Sequence, residues 1–180
     1  VMGEQIHIGG FASSMALAEK ASIGEGLQGV DLCCCNGAGM RFLVRFRDVA
    51  EMTGVDATET VLERCRFRCE EEGLADRVRF KLADVCDSGL PDAQADFVWG
   101  EDAWCYVTDK ARLLLEARDR TGVVIAEAFM VRSHPQWLDV RRRVRRGDER
   151  DPRVAQPGVR HRARFLRPRV FPRLVRRAGA

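Results

Sequence analysis

The chain has 180 residues, 46% hydrophobic and 32% charged, enough for one globular domain with its own core and unlike a fibrous or disordered protein. Its apolar runs fall well short of the ~20 residues of a membrane span, and Val1 to Gln5 lack the basic-then-apolar order of a secretory signal. A cytoplasmic location without a membrane partner is therefore expected. The net charge of +3 conceals two unlike parts: residues 1–131 hold 14 Lys and Arg against 23 Asp and Glu, net −9, while residues 132–180 hold 16 Arg, no Lys and four acids, net +12.

In chain order, Gln5 to Gly10 is a short segment closed by two glycines. Phe11 to Ile23 carries Phe11, Met15, Leu17 and Ala18 at helical spacing, with Ser13 or Ser14 near its start, and predicts an amphipathic helix. Gly24-Glu25-Gly26 ends it. Gln28 to Cys34 predicts a buried strand, followed by a glycine loop and a helix from Met40 to Arg47. Val49 to Val55 predicts a second strand and Thr60 to Glu72 a helix, opened by Thr58 and Glu59 and closed by Gly73. Arg77 to Ala83 alternates Val78, Phe80 and Leu82 with charged residues, the pattern of a half-exposed strand. Ala95 to Trp99 predicts a fourth strand, Tyr106 to Arg118 a helix with Leu113 to Leu115 inward, and Gly122 to Ala126 a fifth strand.

Strands alternating with helices predict an α/β fold, a Rossmann-like doubly wound parallel sheet with right-handed crossovers. The stretch Gly29 to Gly39 is its organising turn: strand, glycine loop and helix start present backbone N–H groups to a nucleotide-like ligand. Such sheets bind ligands at the carboxyl ends of their strands, and the acids Asp56, Asp84, Glu101, Asp102 and Glu127 fall there. Any one of them alone would ordinarily cap its own turn. As a set at successive strand ends they point to a binding site.

The seven cysteines, at 33, 34, 35, 65, 69, 86 and 105, are odd in number and three are adjacent, a poor disulfide framework. Paired C-x-x-C or Cys/His spacing is missing, so reduced, mostly buried thiols and no metal site are expected.

Asp56 lies 17 residues beyond Gly39, where an acid can take both hydroxyls of a ribose. Dinucleotide dehydrogenases and class I S-adenosylmethionine-dependent methyltransferases share that feature. Leu82-Ala83-Asp84-Val85 resembles the methyltransferase segment after the third strand, and Ala95 to Trp104 the segment after the fourth strand in small-molecule methyltransferases of the sarcosine/dimethylglycine and ubiquinone-pathway types. Ile6-His7-Ile8-Gly9-Gly10 looks like the N-terminal entry segment of the same group. The resemblance spans about residues 3–127. In the dehydrogenase alternative, Phe42 stands where the third glycine of G-x-G-x-x-G belongs.

The resemblance implies S-adenosyl-L-methionine as cofactor and methyl transfer to a small-molecule acceptor of amine, carboxylate or quinol type. It implies cofactor contacts from Asp31, Cys33, Cys35 and Gly37 in the turn, Asp56 and Ala57 at the ribose, Asp84 and Val85 at the adenine, and Trp99 and Glu101 after the fourth strand. Asp102, His7 and Tyr106 are the candidates to hold the acceptor or take its proton, and Trp99, Trp104 and Tyr106 supply aromatic faces for a sulfonium. The family pattern Asp-x-Gly-x-Gly-x-Gly, aligned on Asp31, puts its first two glycines on Cys33 and Cys35 and its third on Gly37. Glycine there admits positive φ and close backbone approach. Cys35 as a nucleophile or metal ligand is the minor alternative, without a neighbouring His.

The domain division expected is 1–130 for the methyltransferase-like domain and 131–180 for an Arg/Pro-rich tail. The tail reads as disordered or non-native, the composition a GC-rich gene yields out of frame, and the family's usual last strands are not legible in it. The runner-up reading makes the tail a phosphate-binding arm on a nucleic-acid-binding or RNA-modifying protein. A third makes the chain an inactive fragment whose exposed fifth-strand edge favours a homodimer.

Overall fold

The computed structural model describes residues 9–120 and, as backbone, the strand at 124–127. Its parallel sheet has five strands: β1 Gln28–Leu32, β2 Glu51–Asp56, β3 Val78–Leu82, β4 Phe97–Glu101 and β5 Val124–Glu127, in the spatial order β3-β2-β1-β4-β5. Four α-helices accompany them: α1 Gly10–Lys20, α2 Ala38–Phe46, α3 Glu59–Glu71 and α4 Lys110–Arg120. The order turns back beside β1, which pairs with β2 on one side (Asp31 opposite Gly54) and with β4 on the other (Asp31 opposite Trp99). That switch in strand order puts the crevice of a doubly wound sheet at the carboxyl end of β1.

The strand period of two divides the core into two layers. Val30 and Leu32 of β1, Val55 of β2 and Val98 of β4 face Leu113 and Ala117 of α4. Met52, Phe97 and Trp99 point to the opposite face, where α1, α2 and α3 contribute Leu17, Met40, Leu43, Leu62, Cys65 and Cys69. Asp31 shares that second face, and it alone of the buried β1 positions is charged. On α1 the ring of Phe11 meets α2's Phe42 and Phe46, and the three ring pairs have centroid distances of 5.0 to 5.9 Å.

The loop between β3 and β4 is tied to α4 by a buried polar group. Glu116 accepts the Ser88 backbone N–H at 3.1 Å and the Ser88 hydroxyl, and its carboxylate pairs with Arg120 at 3.1 Å. Arg120 reaches on to Asp92 at 3.1 Å. No periodicity in the sequence marks this brace.

The helix expected from Tyr106 begins four residues later, at Lys110. Trp104 to Tyr106 instead form a single 3-10 turn, because the Trp104 indole is pinned under β1. Asp109 then caps the helix, its Oδ1 accepting the Arg112 N–H at 2.9 Å. Of Leu113 to Leu115 only Leu113 is fully buried. The second strand starts at Glu51 rather than Val49, since Val49 is still bonded back to Leu43 at the end of α2. Among the described residues no helix is long and apolar enough to cross a membrane. His7, the segment before Gly9 and the tail 131–180 lie outside the described residues.

Candidate functional site

The turn after β1 is shaped by its backbone. Cys33, Cys35 and Gly37 have φ of 69°, 47° and 72°, so all three positions aligned with family glycines are left-handed, two of them with a side chain attached. The Cys33 and Cys34 N–H groups are bonded to the Val55 carbonyl at 2.9 and 3.1 Å, which ties the turn to β2. Asn36 Oδ1 accepts the Ala38 N–H at 3.1 Å, and Arg41, itself buried, donates to the Asn36 carbonyl at 2.6 Å while pairing with Glu72 beyond α3 at 3.3 Å. The turn is thus held from three sides before any ligand arrives.

Burial pushes the Cys33 thiol up to about 12 and raises Cys34 further, so neither is a thiolate near neutral pH. On α3, a hydrogen bond between the two thiols, reinforced by burial, raises Cys65, and the same bond lowers Cys69. All seven cysteines are free.

At the carboxyl end of β2, half-buried Asp56 stands against this turn. Its Oδ2 accepts the Cys35 N–H and its Oδ1 the Thr58 N–H, both at 3.0 Å. Each carboxylate oxygen keeps a further lone pair. Ala57 beside it is exposed. After β3, Asp84 is exposed with Oδ1 accepting the Cys86 N–H at 2.8 Å, and Val85 is buried. The acids therefore do cap their own turns, and they also converge on one end of the sheet.

Asp31 is 5% exposed. Burial first, then the charges of Glu101 and Asp56, hold its carboxyl well above the usual carboxylate range. Trp99, opposite it on β4, is 1% exposed, and its Nε1 has no hydrogen-bond partner among the described residues. Gly39 is the reason these groups share a space: a Cβ there would lie 2.9 Å from Trp99 Nε1 and 3.3 Å from Asp31 Oδ2. The start of α2 is therefore packed directly onto a buried donor and a buried acid.

Glu101 ends β4, and the buried Ser14 of α1 bonds to its two carboxylate oxygens at 3.0 and 3.3 Å. Asp102, the next residue, is left-handed at φ 56°. Tyr106 is 86% exposed on the 3-10 turn. Trp104 is buried, and its indole N–H donates to the Leu32 carbonyl at 2.9 Å, at the root of the cysteine turn. Asp31, Cys33, Cys35, Gly37, Asp56, Trp99 and Glu101 are gathered around that turn, whereas the Trp99 and Trp104 rings are packed inside the two core layers rather than presented to a cavity. Ser14 escaped the sequence reading as a site residue because its partner is 87 residues away.

The raised Asp31 gives a pH-dependent stability with a definite sign. The folded chain binds that proton more tightly than the unfolded one, so stability falls as pH rises from the ordinary Asp value of about 3.9 toward the raised folded value. Asp31→Asn is expected to be more stable than the parent near neutral pH, with the gain vanishing below the ordinary Asp range. Urea unfolding at pH values on either side of that range checks it.

Comparison with known proteins accords with this geometry. A family model described as a methyltransferase domain matches residues 30–121. The 27-O-demethylrifamycin SV methyltransferase of Amycolatopsis mediterranei is 28% identical over 127 residues, covering 64% of this chain and 46% of that protein. The sterol 24-C-methyltransferase of Aspergillus fumigatus is 30% identical over 93 residues, covering 52% of this chain and 24% of that protein. The chain thus spans about a quarter to a half of the length of these curated relatives. Among solved structures, phosphoethanolamine N-methyltransferase 2 of Haemonchus contortus, in complex with S-adenosyl-L-methionine, superposes with a TM-score of 0.61 at 21% identity, over 66% of this chain and 27% of that one. The fold order, the turn after β1 and a family match over half its length together establish that this chain belongs to the methyltransferase domain family.

Proposed function

We propose that the chain binds S-adenosyl-L-methionine at the carboxyl ends of β1, β2 and β4 and serves methyl transfer to a small-molecule acceptor. The observation that carries this reading is the turn itself: left-handed backbone at Cys33, Cys35 and Gly37, set against the Asp56 carboxylate. The residues present fit the cofactor. Asp56 retains lone pairs for two ribose hydroxyls, with Ala57 exposed beside it. Exposed Asp84 next to buried Val85 suits an adenine amino group and ring. Asp31 at the end of β1, and Trp99 opposite it on β4, are the proposed neighbours of the cofactor's amino-acid end. The cysteine side chains at 33 and 35 narrow the approach that glycine would leave open.

When bound, S-adenosyl-L-methionine supplies a methyl group already activated by its sulfonium. The chain's own contribution is then to orient the acceptor and exclude water. The concentration of carboxylates, Asp31, Asp56 and Glu101, favours a cationic ligand. Asp102 and Tyr106 sit after β4 as the proposed acceptor-holding and proton-accepting groups, and His7 is proposed alongside them. The two relatives are named as methyltransferases of 27-O-demethylrifamycin SV and of a sterol, which supports a small acceptor as a class. Amine, carboxylate or quinol chemistry is the finer proposal. The free thiols suit a reducing compartment, and a cytoplasmic location is proposed on that ground. The net +12 of residues 132–180 supports the second reading, a nucleic-acid arm, for which loss of salt-dependent RNA binding on removing that segment is the test.

Titration calorimetry with S-adenosyl-L-methionine tests the main reading. Saturable binding by the parent is expected. Asp56→Ala should weaken it by about two orders of magnitude, the loss of two hydrogen bonds to a charged acceptor at about 1.5 kcal/mol each. No binding by the parent removes the methyl-transfer reading. Unchanged binding by a folded Asp56→Ala removes the ribose assignment alone.

A further inference from the structure

α1 packs its Leu17 and Ala18 into the core layer under α2, and its third fully buried position is a hydroxyl, Ser14. A buried polar group on an apolar stripe needs a partner. Ser14 finds it across the molecule, at the carboxyl end of β4, in the two oxygens of Glu101. The Gly10 carbonyl at 3.5 Å is a poorer alternative on its own helix. Glu101 in turn stands two residues beyond Trp99, the β4 residue opposite Asp31, and Asp31 lies against Gly39 at the start of α2. One carboxylate therefore joins the N-terminal helix to the turn that follows β1.

We propose that Ser14 is a positioning residue for the cofactor site: by donating to Glu101 it seats α1 on the end of β4 and fixes the Glu101 carboxylate beside Asp31. This rests on the S-adenosyl-L-methionine reading above. Without the hydroxyl, that carboxylate loses its two bonds from Ser14 and is held less firmly beside β1 when the ligand binds. The effect of Ser14 on affinity passes through Glu101.

A double-mutant cycle on the full chain reads this directly. S-adenosyl-L-methionine is titrated into the parent, Ser14→Ala, Glu101→Ala and the double variant. Ser14→Ala is expected to raise Kd about fivefold in the parent, the worth of one net hydrogen bond, and to leave it unchanged in the Glu101→Ala background. A purely structural role would raise Kd by a similar factor in the parent and in the Glu101→Ala background. Should Glu101→Ala not fold, Glu101→Gln replaces it; its amide oxygen still accepts from Ser14, so Ser14→Ala must again raise Kd about fivefold there. The proposal is overturned by a parental Kd in Ser14→Ala, by equal losses in the parent and Glu101→Ala backgrounds, or by no loss in the Glu101→Gln background. A parent that does not bind at all fails the function reading and takes this inference with it, whereas a binding parent with an indifferent Ser14→Ala fails this inference alone.

Discussion

Trp104→Ala is expected to destabilise the chain by about 3–5 kcal/mol, the range for truncating a large buried aromatic. Trp104 is 1% exposed and packs in the α4 layer with Val30, Leu32, Val98 and Leu113. Its seat is Gly100 of β4, where a Cβ would overlap the indole ring at Nε1. Removing the ring opens a cavity against a strand that has no side chain to fill it. Trp104→Phe separates packing from bonding. It keeps most of the ring but leaves the Leu32 carbonyl without its donor, a loss of about 1–3 kcal/mol. Since Leu32 is the last residue of β1, the cysteine turn should loosen in both variants. Urea unfolding of the three proteins measures the difference. A loss below about 1 kcal/mol for Trp104→Ala would mean that the layer collapses into the space and that the indole is not a support.

Gly37→Ala is the second large effect. Gly37 has φ 72° and precedes the first turn of α2, and a Cβ there would overlap the Cys65 Sγ of α3. Two costs combine. A left-handed alanine costs about 1–2 kcal/mol, and overpacking against a buried thiol about 1–3 more. Cys65 cannot yield cheaply, being itself fully buried between the helices. In a Cys65→Ala background the overlap is gone and only the backbone strain remains, so the penalty should drop to about 1–2 kcal/mol. Thermal and urea unfolding of the four proteins test this non-additivity. Equal penalties in both backgrounds would show that contact with Cys65 plays no part.

The elements that obey a period were legible in the sequence. Val78, Phe80 and Leu82 alternate, and α3 carries its apolar residues one turn apart, so β3 and α3 fall where the pattern puts them. The turn after β1 was legible too, because aligning Asp31 on the family pattern selects the three positions that are left-handed. What was not legible depends on contacts remote in the chain. Tyr106 resembles a helix start, yet the Trp104 indole reaching Leu32, 72 residues back, holds that stretch in a 3-10 turn. Thr108-Asp109 carries the true start signal. Trp99 and Trp104 read as aromatic faces for a ligand, but each ring is packed into one of the two core layers. The strand-end acids were visible as a set. That Asp56 would hold the Cys35 N–H, and Asp31 be pressed by Glu101, required the register of three strands.

The cysteines of the turn also make the protein its own reporter. Cys34 is 4% exposed and Cys65 fully buried, with Cys65 directly beneath Gly37. A thiol reagent in solution meets these sulfurs only when the β1–α2 turn lifts from α3, so their alkylation rate clocks that opening, without an attached probe. Any ligand that clasps the turn must slow the clock by its own occupancy. Cys34 inside the turn and Cys65 beneath it thus let the breathing of the turn be timed.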